Sequence, residues 1–135
     1  MLGRNTYPAT VVADARREFA DLAAGWLTIS MTSAPAARAE AEVQIFNQMV
    51  VALEGWFVHR LRGAEGKDGN AMNEVRLLAQ GVTAGGLFPE DKTIKWRPDA
   101  SVTGYQAGDR IALSEEVFSR LAEVFLDGIA KTYPA

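Results

Sequence analysis

The residues best suited to chemistry lie close together in the middle of the chain, between Glu54 and Arg76. This segment contains the only histidine and a glycine-rich link that is dense in charges of both signs. Basic and amide side chains bind anions, and a helix that starts after the link would add backbone N–H groups. We therefore select six residues as a candidate anion-binding site: His59, Arg62, Lys67, Asn70, Asn73 and Arg76.

The same segment also has a structural interpretation. Helical periodicity places Arg60 inside an apolar stripe, and a buried guanidinium needs a partner of opposite charge. We predict an ion-pair cluster in which Arg60, Arg62 or Arg76 meets one or more of three acidic residues: Glu54, Glu65 and Glu74. Such a cluster would fix the turn between two helices, and we prefer this interpretation slightly. If the segment were a catalytic site, Glu54 or Glu74 would be its acid or base.

Composition excludes several other classes of function. The 135 residues carry a net charge of -3, which is unfavourable for general nucleic-acid binding. The absence of cysteine removes disulfides, thiolate catalysis and iron–sulfur clusters, and one histidine cannot supply a di-iron or zinc site. We expect no metal, no cofactor and no catalytic residue. The apolar runs are too short for a signal peptide or a membrane span, so we expect a cytoplasmic protein.

Four helices are predicted from apolar residues that recur at intervals of three and four. The first opens at Pro8 or Thr10 and ends before Ser33. The second is the longest, because it begins near Pro35 after a Ser33 cap and extends to about Arg62, roughly 40 Å in all. The third and fourth begin after the capping residues Asn70 and Ser114.

Between the third and fourth helices the apolar pattern alternates. Ile94 and Trp96 alternate with Lys95 and Arg97, which predicts a short strand, and residues 101–105 and 110–113 are candidates for two more. Basic residues that alternate with an aromatic ring are also found where proteins bind single-stranded nucleic acid. A nucleic-acid accessory protein that uses Lys92, Lys95 and Arg97 is therefore our third functional hypothesis.

These patterns together predict a mainly α, four-helix bundle-like single domain over residues 1–135. It has a long second helix, a small β-hairpin or three-stranded patch before the last helix, and a loose N-terminal arm at 1–7. The leading functional hypothesis is a cytoplasmic interaction module without catalysis, homodimeric through surplus apolar surface on the second helix. The alternative is a protein that binds a small anionic ligand, or a minor enzyme, with its site where the second helix meets the third.

Overall fold

The computed structural model describes residues 3–31 and 34–135, and it is mainly α-helical. One 3₁₀ turn lies at Pro98–Ala100. Over the described residues, no helix is both long enough and apolar enough to cross a membrane. The α-helices are α1 (Ala9–Ser30), α2 (Pro35–Trp56), α3 (Arg62–Glu65), α4 (Ala71–Thr83) and α5 (Glu115–Thr132).

The four long helices pack around one core. Helix α2 contacts α1, α4 and α5, and α5 also contacts α1 and α4. Aromatic rings join the helices at the centre: the Phe46 ring centroid lies 6.1 Å from that of Trp26 and 5.6 Å from that of Phe118. The apolar stripes predicted from sequence supply these buried residues, because residues three and four apart share one face of a helix.

The starts of α4 and α5 follow the sequence prediction. The Asn70 side chain accepts a hydrogen bond from the Asn73 amide at 3.0 Å, and the Ser114 hydroxyl accepts one from the Val117 amide at 3.1 Å. Both caps are confirmed, and each satisfies an amide that the helix itself leaves without a partner.

Helix α2 is shorter than predicted. It ends at Trp56, not near Arg62, because Phe57 leaves the helical conformation with φ -128° and ψ 22°. The Phe57 carbonyl then accepts from the Arg60 amide at 3.1 Å and from the Arg60 side chain at 3.0 Å, which replaces its helical partner. Pro35 is the first residue of the helix, and the predicted cap at Ser33 lies outside the described residues.

The predicted loose arm at 1–7 is corrected for its described part, residues 3–7. The Arg4 amide donates to the His59 carbonyl, and the Leu61 amide donates to the Arg4 carbonyl, both at 2.6 Å. Tyr7 is only 3% exposed and stacks edge-on against Phe57 with ring centroids 4.9 Å apart. Tertiary contacts therefore hold this segment, although it has no helical or alternating pattern of its own.

The predicted β-element is not found in the described residues, which contain isolated bridges but no strand. Leu87 and Arg110 form one such antiparallel bridge. Beyond it, side chains replace the partner strand: Asn47 accepts from the Leu113 amide and donates to the Ile111 carbonyl. The alternating apolar residues Ile94 and Trp96 do not form a strand. The Trp96 amide donates to the Ile94 carbonyl, so the chain makes a tight turn at this point.

Candidate functional site

A buried cluster of two arginines and two glutamates joins the end of α2 to α3 and α4. Arg60 Nη2 lies 3.0 Å from Glu54 Oε1, and Arg60 Nε donates to Glu65 Oε1 at 2.7 Å. Arg76 Nη2 donates to the same Glu65 oxygen at 2.5 Å, and Arg76 Nη1 lies 3.6 Å from Glu54 Oε2. We call these four residues the tetrad; all are buried and their formal charges cancel.

Neighbouring groups hold the tetrad in place. Asn73 Nδ2 donates to Glu65 Oε2 at 2.7 Å, so the Glu65 carboxylate accepts from Arg60, Arg76 and Asn73 together. The Arg60 guanidinium also donates to the Met72 carbonyl and lies 5.4 Å from the centroid of the Phe125 ring. Buried charges are stable only when they are paired and hydrogen-bonded, and the Arg60 and Glu65 side chains meet that condition.

The two glutamates of the tetrad differ electrostatically. Burial raises the pKa of Glu54, and attraction to Arg60 and Arg76 only partly opposes this. Burial acts in the same direction on Glu65, but the hydrogen bond from Arg76 and the charges of both arginines outweigh it and lower the pKa of Glu65. Glu54 Oε1 is close to Arg60 yet has no well-directed hydrogen bond in the described structure. Glu65 is therefore the stronger anchor of the tetrad.

A buried tyrosine closes one side of this region. The Tyr133 hydroxyl donates to the Leu61 carbonyl at 2.7 Å, and its ring lies edge-on to that of Tyr7. Burial and the nearby negative charge of Glu65 raise the pKa of Tyr133 to about 12. The phenol therefore stays protonated near neutral pH and acts as a fixed hydrogen-bond donor.

Four of the six predicted anion ligands border one small cavity next to the tetrad. The cavity has a volume of about 50 Å³ and is bordered by Arg62, Lys67, Asn73 and Arg76. Residues of the 91–94 loop complete the wall of the cavity. This loop is held against the link between α3 and α4 because the Lys95 amide donates to the Lys67 carbonyl. Sequence spacing gave no indication that this loop would lie here.

The other two predicted ligands lie elsewhere. His59 is exposed and does not border the cavity, and its backbone carbonyl accepts from the Arg4 amide. Asn70 uses its side chain to cap α4 and to donate to the Glu65 carbonyl at 2.8 Å. The proposed anion position at the start of α4 is therefore occupied by the protein's own groups.

Glu74 does not join the tetrad. Its buried carboxylate accepts from the Val102 and Thr103 amides and from the Thr103 hydroxyl, at distances of 2.7 to 3.0 Å. The reason is helical geometry: two residues along a helix correspond to a rotation of about 200°, so Glu74 and Arg76 point to opposite sides of α4. Glu74 attaches the loop after the 3₁₀ turn to α4.

Two polar residues of α2 with structural roles were not identified from the sequence. Asn47 bonds to the backbone at Ile111 and Leu113, and Glu42 accepts from the Glu115 amide at 2.9 Å, so it caps α5 from another helix. Both contacts join residues that are far apart in the chain. No local spacing rule reports such a contact, since capping rules concern neighbours in sequence.

The basic segment between α4 and α5 differs from a nucleic-acid platform in one respect. Lys92, Lys95 and Arg97 are exposed, as such a surface requires. Trp96, however, packs against Phe88 with ring centroids 5.0 Å apart, and its indole N–H donates to the Tyr105 carbonyl at 2.8 Å. A ring that is packed in this way does not offer a free face for a base to stack on.

A second candidate site is an apolar surface along the seam between α1 and α2. It consists of Leu22, Ile45 and Trp56, which are 44%, 40% and 41% exposed. Trp56 packs edge-on against Phe19 of α1, with ring centroids 6.1 Å apart, and Leu22 follows Phe19 by about one helical turn. Ile45 and Trp56 lie about three turns apart on the same flank of α2.

The contacts of α1 with α5 show on which side of the molecule this apolar surface lies. Arg16 on that flank pairs with Asp127 of α5 at 2.6 Å and borders a groove between α1 and α5. Leu22 is on the other flank, so it faces α2 and not α5. Leu22, Ile45 and Trp56 therefore belong to one outer side of the molecule.

Comparisons with known proteins do not assign a family. No family model matches the chain, and neither the curated proteins nor the solved structures include a match to it. Among the described residues, no three or more histidine or acidic side chains are grouped so that they could hold a metal ion. Function must therefore be inferred from the two sites described above.

Proposed function

We propose that this protein is an interaction module that self-associates as a homodimer through the apolar surface of α1 and α2. The exposed side chains of that surface, Leu22, Ile45 and Trp56, carry the proposal. A half-exposed tryptophan on the same side of the molecule as two half-exposed aliphatic side chains is costly in water, and aromatic residues are enriched in protein interfaces. In this proposal the tetrad is a structural clasp and takes no part in catalysis.

The total surface area supports a partner. The accessible surface is 7618 Å² for a chain of 14.6 kDa. The scaling observed for monomeric proteins gives about 6,900 Å² at this mass, so the chain exposes about a tenth more than expected.

Twofold symmetry makes the proposal sensitive to single substitutions. In a homodimer with a twofold axis, the same surface of each copy faces its counterpart. One lysine substitution therefore brings two cations into the interface, and each must lose water without gaining a partner. We expect Leu22→Lys and Ile45→Lys to abolish dimers while the fold is retained, because both side chains are already partly exposed.

The test is sedimentation velocity over about 1 to 100 µM, a range that brackets micromolar dissociation constants. The unmodified protein should shift from monomer to dimer, and both lysine variants should stay monomeric. Val124→Lys is the matched control, because Val124 is 46% exposed on α5, beside the 101–102 loop. It should dimerise normally. A monomeric unmodified protein at about 100 µM, or dimers in both lysine variants, would refute the proposal.

A further inference from the structure

The small cavity beside the tetrad has more basic than acidic groups on its rim. Arg62 and Lys67 are exposed, and among the described residues neither lies within 4.0 Å of a carboxylate oxygen. Two acidic residues also line the cavity: Glu65, whose carboxylate accepts hydrogen bonds from Arg60, Arg76 and Asn73, and Asp91, whose Oδ1 accepts from the Thr93 amide and hydroxyl at 2.9 and 2.6 Å. Three basic groups therefore line the cavity together with two carboxylates.

Arg76, which lines the cavity, has one guanidinium nitrogen that makes no hydrogen bond within the tetrad. The Arg76 side chain is only 8% exposed, and it uses Nε and Nη2 to donate to Glu65. Arg76 Nη1 lies 3.6 Å from Glu54 Oε2, which is beyond hydrogen-bond distance. In the described structure this nitrogen makes no hydrogen bond and is not fully buried, so a ligand oxygen that reaches it would gain a charge-assisted contact.

Size limits the class of ligand. The volume of about 50 Å³ can hold only a few water-sized groups, since one water needs about 10 to 15 Å³ on this measure. A nucleoside is too large, whereas a tetrahedral oxyanion fits. We propose that this cavity binds a small oxyanion with the dimensions of phosphate, held by Arg62, Lys67 and Arg76. This inference is independent of self-association, because the cavity borders α3, α4 and the 91–94 loop and not the apolar surface.

The test is calorimetric titration of the whole protein with sodium phosphate, at an ionic strength held constant with sodium chloride. We expect saturable binding that Lys67→Gln weakens by about tenfold or more, because a charge-assisted hydrogen bond is lost. Asp91→Asn should act in the opposite direction and tighten binding, since it removes the competing negative charge and keeps an oxygen for Thr93. A role in folding alone would not give these opposite signs.

Lys92→Gln is the matched control, because it removes an exposed cation that does not border the cavity. It should bind phosphate as the unmodified protein does. Phosphoserine is titrated in parallel: equal affinity would support a free oxyanion as ligand, and clearly tighter binding would support the phosphate end of a larger molecule. Absence of binding to both compounds, or equal binding by the Lys67→Gln and Lys92→Gln variants, would overturn the proposal.

Discussion

The tetrad makes a strong prediction about stability, because its two glutamates face the same two arginines but differ in their hydrogen bonds. Glu65 accepts hydrogen bonds from Arg60, Arg76 and Asn73, and its side chain is 3% exposed. Glu65→Gln would leave two buried guanidinium groups that share one weakly engaged carboxylate. Breaking a buried pair in this way costs about 3 to 5 kcal/mol.

This free-energy cost corresponds to a large change in melting temperature. For a chain of 135 residues, the unfolding entropy is about 0.28 kcal/mol/K, so the loss corresponds to a fall in melting temperature of roughly 11 to 18 °C. Urea denaturation at pH 7, followed by circular dichroism, measures the same difference as a free energy of unfolding. We expect the midpoint to fall without a large change in slope, because the fold is retained.

Glu54→Gln is the matched comparison within the same cluster. The raised pKa of Glu54 means that its negative charge is less stable in the folded protein than in the unfolded chain. Neutralising it should therefore cost less than about 1 kcal/mol. If Glu65→Gln also cost less than about 1 kcal/mol, or if Glu54→Gln were the more damaging change, our account of the tetrad would be refuted.

Two further predictions concern pH and glycine. Because the pKa of Glu65 is lowered in the folded state, its contribution is present above the ordinary glutamate value of about 4.5 and is lost as pH falls through the folded value. The stability difference between the unmodified protein and Glu65→Gln should therefore shrink in urea titrations from pH 7 to pH 3. Gly55→Ala should raise the unfolding free energy by about 0.5 to 1 kcal/mol, since an added Cβ would meet nothing within 4 Å. Gly81→Ala should lower it by about 1 to 3 kcal/mol, because its Cβ would overlap the Leu87 carbonyl oxygen, and equal effects of the two alanines in the same assay would contradict this reasoning.

In the polar segment from Glu54 to Arg76, residue spacing predicted some of the ion-pair contacts but not their partners. Helical periodicity placed Arg60 in an apolar stripe of the second helix and predicted a carboxylate partner. The helix ends at Trp56, so Arg60 is not part of that stripe, but it is buried against Glu54 and Glu65. The partners could not be chosen from spacing, since three acidic residues lie within reach along the chain. Glu74 was grouped with the others, but its position on α4 points it to the loop at Val102 and Thr103.

The region between α4 and α5 was the least predictable. Alternation of apolar and polar residues normally indicates a strand, because side chains on a strand point to opposite faces. Here the chain makes a tight turn between Ile94 and Trp96 and forms no strand. The backbone of residues 111–113 bonds to the Asn47 side chain in place of a neighbouring strand. A pattern in one segment cannot show whether another segment will supply the hydrogen bonds of a sheet.

Local sequence patterns were enough to predict the mainly α-helical class, the apolar face of each long helix and the caps at Asn70 and Ser114. These features depend on residues within a few positions of one another, where helical geometry fixes which side chains meet. Three features could be seen only in the folded chain: the end of α2, the carboxylates that pair with Arg60 and Arg76, and the cavity that the 91–94 loop closes against Lys67. These outcomes depend on which distant segments share one buried space, and that is set by packing of the whole core and not by local spacing.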